Sequence, residues 1–126
     1  MRYTWEHIHL RSPDPGATAQ WYADKLGAGI IRTPQPDGST RYDLDLTGQK
    51  IFIALADPSK TGASPQTPYM GLDHFGLTVE DLDAAVAELK AKGVAFTMEP
   101  RTARPGVRIA FLTAPQNVSI ELIQRG

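Results

Sequence analysis

HIHLRSPDPGATAQWYADKLGAGI, from His7 to Ile30, and HFGLTVEDLDAAVAELKAKGVAF, from His74 to Phe96, decide the fold of this 126-residue chain. Laid over one another, they set His7 on His74, Leu10 on Leu77 and Asp14 on Asp81. One residue is lost within the helical stretch, after which Gly27 falls on Gly93 and Ile30 on Phe96. The segments that follow also run in parallel. LDLTGQKIFIAL, from Leu44, lies over AFLTAPQNVSIEL, from Ala110, with one extra residue in the second turn. That alignment sets Thr47 on Thr113, Ile53 on Ile120, Leu55 on Leu122 and Ala54 on Glu121. The matches fall where strands, caps and turns begin or end, as expected of a duplicated unit.

Each half reads as β-α-β-β-β. The first strands are Tyr3 to Arg11 and Leu72 to Val79. Asp14 and Asp81 then stand where a helix N-cap accepts backbone N–H groups. The helices run from Pro15 to Leu26 and from Leu82 to Lys92. Leu82, Ala85, Val86 and Leu89 recur at the spacing of one buried helix face. Gly27 and Gly93 suit a left-handed C-terminal residue. Strands follow at Gly29 to Thr33, Arg41 to Thr47 and Lys50 to Ala56, then at Val94 to Met98, Val107 to Leu112 and Val118 to Gln124. The expectation is one α+β domain of two tandem βαβββ modules, residues 1–56 and 71–126. The Pro-, Ser- and Thr-rich stretch 57–70 joins them.

Strand alternation assigns faces. Ile8 and Leu10 turn toward the helix, while Trp5, His7, His9 and Arg11 turn away. In the second half Phe75 and Leu77 turn toward the helix, and His74 turns away. In the last strand Val118, Ile120 and Leu122 form the core row, with Ser119, Glu121 and Ile123 on the opposite side. His7, His74 and Glu121 thus share the face opposite the helix. If the two mixed sheets curl toward each other, that face lines a shared cleft. Two histidines and one carboxylate make a ligand set for a divalent transition metal that leaves open coordination positions. Strand geometry alone leaves open the plainer reading of a packed histidine pair and a solvated glutamate. His9 lies two residues beyond His7, roughly 6–7 Å along the strand, as either an acid–base group or part of the cleft wall. Trp5, Phe52 and Phe111 are candidates to touch substrate or merely to pack, and Arg11 also faces the cleft. Arg101 and Arg104 flank Pro105-Gly106, where a loop could meet an anionic substrate or stand idle. Asp43 and Asp45 read as solvated, and Trp21 and Tyr22 as core.

Composition narrows the field further. The formal net charge is -1 and no basic stripe is present, which argues against nucleic acid. There is no cysteine, so disulfides, thiolate nucleophiles and cysteine metal sites are excluded. No apolar h-region follows Arg2, and no apolar run approaches the roughly 18 residues of a membrane span. A soluble cytoplasmic protein is the expectation, without a membrane partner.

DHFGLTVEDLDAAVAELKAKGV, from Asp73, and APQNVSIELIQ, from Ala114, resemble the vicinal oxygen chelate superfamily, as do WEHIHLRSPDP from Trp5 and the run Trp21 to Gly27. The resemblance covers nearly the whole chain. It implies paired modules forming a cleft, often in a homodimer, with one divalent ion (Fe, Ni, Co, Mn or Zn) on His7, His74 and Glu121. It also implies a small oxygen-chelating substrate. The functions it suggests are a glyoxalase-like lyase or isomerase working through an enolate-type intermediate, an Fe(II) extradiol-type dioxygenase, or a bleomycin-resistance-like binding protein without catalysis. Many metal-binding relatives carry a fourth ligand on the last strand of module one. The repeat alignment puts Ala54 there, and alanine cannot ligate.

Overall fold

The computed structural model describes residues 1–126. The chain divides into two compact units, Met1–Gly62 and Ala63–Gly126, with the division inside the stretch read as a linker. The first unit contains β1 (His7–Ser12), α1 (Pro15–Leu26), β2 (Gly29–Pro34), β3 (Thr40–Leu46) and β4 (Gln49–Leu55). The second contains β5 (His74–Thr78), α2 (Leu82–Ala91), β6 (Phe96–Arg104), β7 (Val107–Ala114) and β8 (Val118–Arg125). Each unit folds its strands into a four-stranded mixed sheet. The orders are β1-β4-β3-β2 and β5-β8-β7-β6. The first and last strands of each unit pair in parallel, and the other neighbours are antiparallel.

Local chemistry starts and stops the helices where the aspartates and glycines predicted. Asp14 Oδ1 accepts from the Ala17 N–H at 3.1 Å, and Asp81 Oδ1 accepts from the Ala84 N–H at 3.0 Å. Gln124 Oε1 accepts from the Leu82 N–H at 2.7 Å, so the last strand also caps the second helix. Gly27 ends α1 in the left-handed region, at φ 73°. Between β3 and β4 a two-residue turn puts both Thr47 (φ 49°) and Gly48 (φ 89°) at positive φ, the mirror-image turn that suits a twisted hairpin.

The core of each unit lies between its helix and one sheet face. Ala19, Tyr22, Leu44 and Ile51 are fully buried in the first, and Leu82, Ala110, Leu112 and Ile120 in the second. The Tyr22 hydroxyl is buried without a hydrogen-bond partner. Desolvation pushes its pKa well above the usual phenol range. Tyr22→Phe removes an unpaired polar group and is expected to raise unfolding stability by about 1 kcal/mol in urea titration. The contribution of the raised pKa is fully present below pH ~10 and is lost above it, as the unfolded chain ionises first. The variant is therefore expected to lose that alkaline slope.

Several boundaries differ from the sequence reading. The first strand begins at His7, not Tyr3, because β4 begins at Gln49 and the pairing starts with His7 opposite Lys50. Trp5 consequently precedes the sheet and is 75% exposed. In the second unit the Val94 N–H closes the end of α2 by donating to Leu89 C=O, which holds Val94 outside the strand. β6 instead runs on to Arg104, with register shifts, because β7 pairs with it as far as Arg104 opposite Val107. Arg101 and Arg104 are therefore strand residues, not loop residues. Val118 is only half-buried, whereas Ser119, on the outward row, is 5% exposed. β8 is an inner strand, and Ser119 is short enough to be covered by His74 on one side and Thr113 on the other.

Candidate functional site

The second unit contributes a histidine–carboxylate pair. His74 opens β5 and Glu121 lies on the adjacent β8, opposite Gly76. His74 Nε2 and Glu121 Oε1 are 3.7 Å apart, with the side chains 33% and 22% exposed. That separation is too long for a hydrogen bond. It is short enough for one divalent ion to touch both atoms at bond lengths of about 2.0–2.2 Å. The other ring nitrogen, Nδ1, is 2.8 Å from Asp73 Oδ2. The Phe111 ring meets the His74 ring edge-on at 4.8 Å. A methyl group at Gly76 would stand 3.5 Å from Glu121 Oε1, so a larger side chain there would crowd the carboxylate.

The first unit presents the counterpart face with different chemistry. His7 Nδ1 is bonded to the Glu6 carboxylate, and the His7 ring stacks on Phe52 at 4.1 Å. Lys50 Nζ lies 3.6 Å from Glu6, whose carboxyl is held below its usual range chiefly by the His7 hydrogen bond. His9 lies 5.9 Å from His7, ring to ring, and desolvation followed by the Arg11 charge lowers its pKa. Arg41 covers the other aromatic contact, 4.8 Å from the Phe52 centroid, while paired with Asp43 at 2.9 Å. Asp43 is thus an ion-pair partner, and Asp45 Oδ1 accepts from the Gly48 N–H in the turn. A cavity of about 430 Å³ in this unit is lined by His9, Arg41, Tyr42 and Phe52 together with the Asp14–Gly16 start of α1. Arg11 is exposed on the same strand row as His7 and His9, whereas Arg104 is exposed at the end of β6.

The strand register corrects one correspondence in the repeat. Gly76 faces Glu121, and its repeat partner His9 faces Phe52. Counted from the preceding turns, Gln49 matches Val118, Ile51 matches Ile120 and Phe52 matches Glu121. The buried Ile51 and Ile120 then coincide, both at 0% exposure. The position equivalent to Glu121 is therefore Phe52, not Ala54, which faces Arg11. Neither side chain can ligate. No group of three or more histidine or acidic side chains has the spacing of a metal site in the structure. Sequence reasoning also passed over Asp73 and Glu6, although an acid directly before each module's histidine is visible in both halves.

Two tandem βαβββ units, each a four-stranded mixed sheet with one helix, define the class of fold. The chain belongs to the glyoxalase/bleomycin resistance protein/dioxygenase superfamily, whose model matches residues 4–122. It is 31% identical over 125 residues to the Bacillus subtilis protein YwkD, covering 94% of each chain. It is 28% identical to a Synechocystis protein named "Probable lactoylglutathione lyase", covering 94% of this chain and 92% of that one. Against plant proteins carrying the lactoylglutathione lyase name it spans less than half of their length, 35–44%. A solved glyoxalase family protein from Enterococcus faecalis superposes with a TM-score of 0.76 at 25% identity, covering 96% of this chain and 97% of the other. No helix is long and apolar enough to cross a membrane.

Proposed function

We propose that the chain is a cytoplasmic, homodimeric, metal-dependent lyase or isomerase of the glyoxalase type. Its substrate is a small molecule presenting two neighbouring oxygens to one divalent ion held by His7, His74 and Glu121. The observation that carries this reading is the His74–Glu121 pair, 3.7 Å apart with the second ring nitrogen already engaged. A neutral imidazole and a carboxylate suit Fe, Ni, Co, Mn or Zn. When bound, the ion supplies a Lewis acid for substrate oxygen that gains negative charge. The chain's own groups do the rest. His9, beside His7, takes up and returns the proton. Arg11 and Arg104 meet an anionic part of the substrate. Phe52 and Phe111 wall the site against water, with Trp5 as a further apolar contact. The lactoylglutathione lyase name of a relative of nearly equal length supports the choice of reaction class.

Elemental analysis of the purified protein, followed by turnover assays, tests the proposal. We expect one equivalent of Ni, Co, Zn or Mn per site. We also expect thiol-hemiacetal isomerisation that chelation abolishes and the same metal restores. Tight ligand binding with no stoichiometric metal and no turnover would replace the proposal with a sequestering protein.

One observation favours a second reading. Phe52 stands at the strand position equivalent to Glu121, so the proposed set keeps two histidines, one glutamate and open coordination positions. Such a set also suits Fe(II) chemistry with O₂. Stoichiometric iron together with oxygen uptake on catechols would select it.

A further inference from the structure

Asp73 does more than precede His74. Its Oδ2 lies 2.8 Å from His74 Nδ1. Its Oδ1 accepts from Thr67 Oγ1 at 2.7 Å and from the Tyr69 N–H at 3.0 Å. The carboxylate is thus held from one side by the stretch that joins the two modules and holds the imidazole on the other. An acceptor on Nδ1 requires the proton to sit there, which leaves the Nε2 lone pair free and turned toward Glu121. The first unit repeats the device with a different anchor, since Glu6 binds His7 Nδ1 and is approached by Lys50. Two unlike anchors converging on the same ring nitrogen argue for a requirement at the histidine. A chance contact between sequence neighbours would not need to be built twice.

We propose that Asp73 is a positioning residue, anchored by Thr67 and the Tyr69 backbone, that fixes His74 as the Nδ1–H tautomer and presents Nε2 as the donor atom. The joining segment thereby belongs to the site. The role in metal binding rests on the function proposed above, but the tautomer does not. Outer partners of this kind set ring orientation and ligand basicity, and their loss costs about 10–100-fold in metal affinity.

The test uses the metal-free full chain with ¹⁵N-labelled histidine, read by long-range ¹H–¹⁵N correlation above the imidazole pKa, and then Co(II) titration. In the unsubstituted protein His74 is expected to show a protonated Nδ1 and an unprotonated Nε2. Asp73→Ala is expected to move the proton to Nε2 and to weaken Co(II) binding by about 10–100-fold. Asp73→Asn keeps an acceptor oxygen and should restore the tautomer. Thr67→Val loosens the anchor alone and should give an intermediate loss of affinity. An Nε2–H tautomer in the unsubstituted protein, or an unchanged tautomer in a folded Asp73→Ala variant, overturns the proposal. If the unsubstituted protein binds no Co(II), the metal reading fails by itself, and the tautomer result still decides the role of Asp73.

Discussion

Glu121→Ala is expected to lower Co(II) affinity by more than ~100-fold, beyond the 10–100-fold typical of outer-shell partners, and to remove turnover with it. Glu121 contributes the only carboxylate in the proposed ligand set. Its oxygen faces His74 Nε2 at 3.7 Å, so its loss leaves the proposed set with two neutral imidazoles and no charged donor. The fold should survive. Glu121 projects from the sheet face opposite the buried Ile120 and Leu122, and it is 22% exposed. Denaturation of the variant should therefore stay within about 0.5 kcal/mol of the unsubstituted protein, as for substitutions outside the core. Calorimetric titration and urea unfolding together check the prediction. Unchanged Co(II) affinity in a folded Glu121→Ala protein would remove Glu121 from the site.

Phe52→Glu is expected to have the opposite effect and to tighten Co(II) binding by about 10-fold or more, equivalent to ~1.4 kcal/mol or more. Phe52 stacks on His7 at 4.1 Å and faces His9 across the parallel pairing, as Glu121 faces Gly76. A carboxylate placed there adds a fourth ligand to the proposed three. Arg41, now 4.8 Å from the Phe52 ring, can pair with the new charge and offset part of the gain. Ala54→Glu is the control. Ala54 faces Arg11, two residues further along the strand and roughly 6–7 Å from the position that faces His9. It should leave affinity unchanged. Tightening by Ala54→Glu instead of Phe52→Glu would show that the strand register misassigns the fourth position.

That pair of substitutions marks where sequence reading stopped. The duplication, the helix boundaries at Pro15 and Leu26, and the sheet faces of His7, His74 and Glu121 were legible from local signals. Cap side chains act over three residues, turn glycines over one or two, and alternation fixes a strand's face at once. The fourth position was not legible. A shift of one residue turns every side chain to the wrong face, but a shift of two returns each to the right one. Pairing Ile53 with Ile120 therefore looked as sound as pairing Ile51 with Ile120.

The acid–histidine contacts show the same division. Glu6-His7 and Asp73-His74 stand plainly in the sequence, yet adjacent strand residues ordinarily point to opposite faces. Nothing in that pattern announces a bond between them. Both acids lie just before the strand begins, outside the paired residues whose alternation the sequence pattern describes. Asp73 is held there by Thr67 and Tyr69.

By itself the sequence determined a doubled βαβββ chain without cysteine, with its histidines and Glu121 on the sheet faces away from the helices, because these features follow from residue type and short-range periodicity. Tertiary structure alone decided that Phe52 answers Glu121, because strand pairing joins segments distant in the chain, and that Asp73 holds His74, because the path of the joining stretch brings Thr67 and the Tyr69 N–H onto the Asp73 carboxylate.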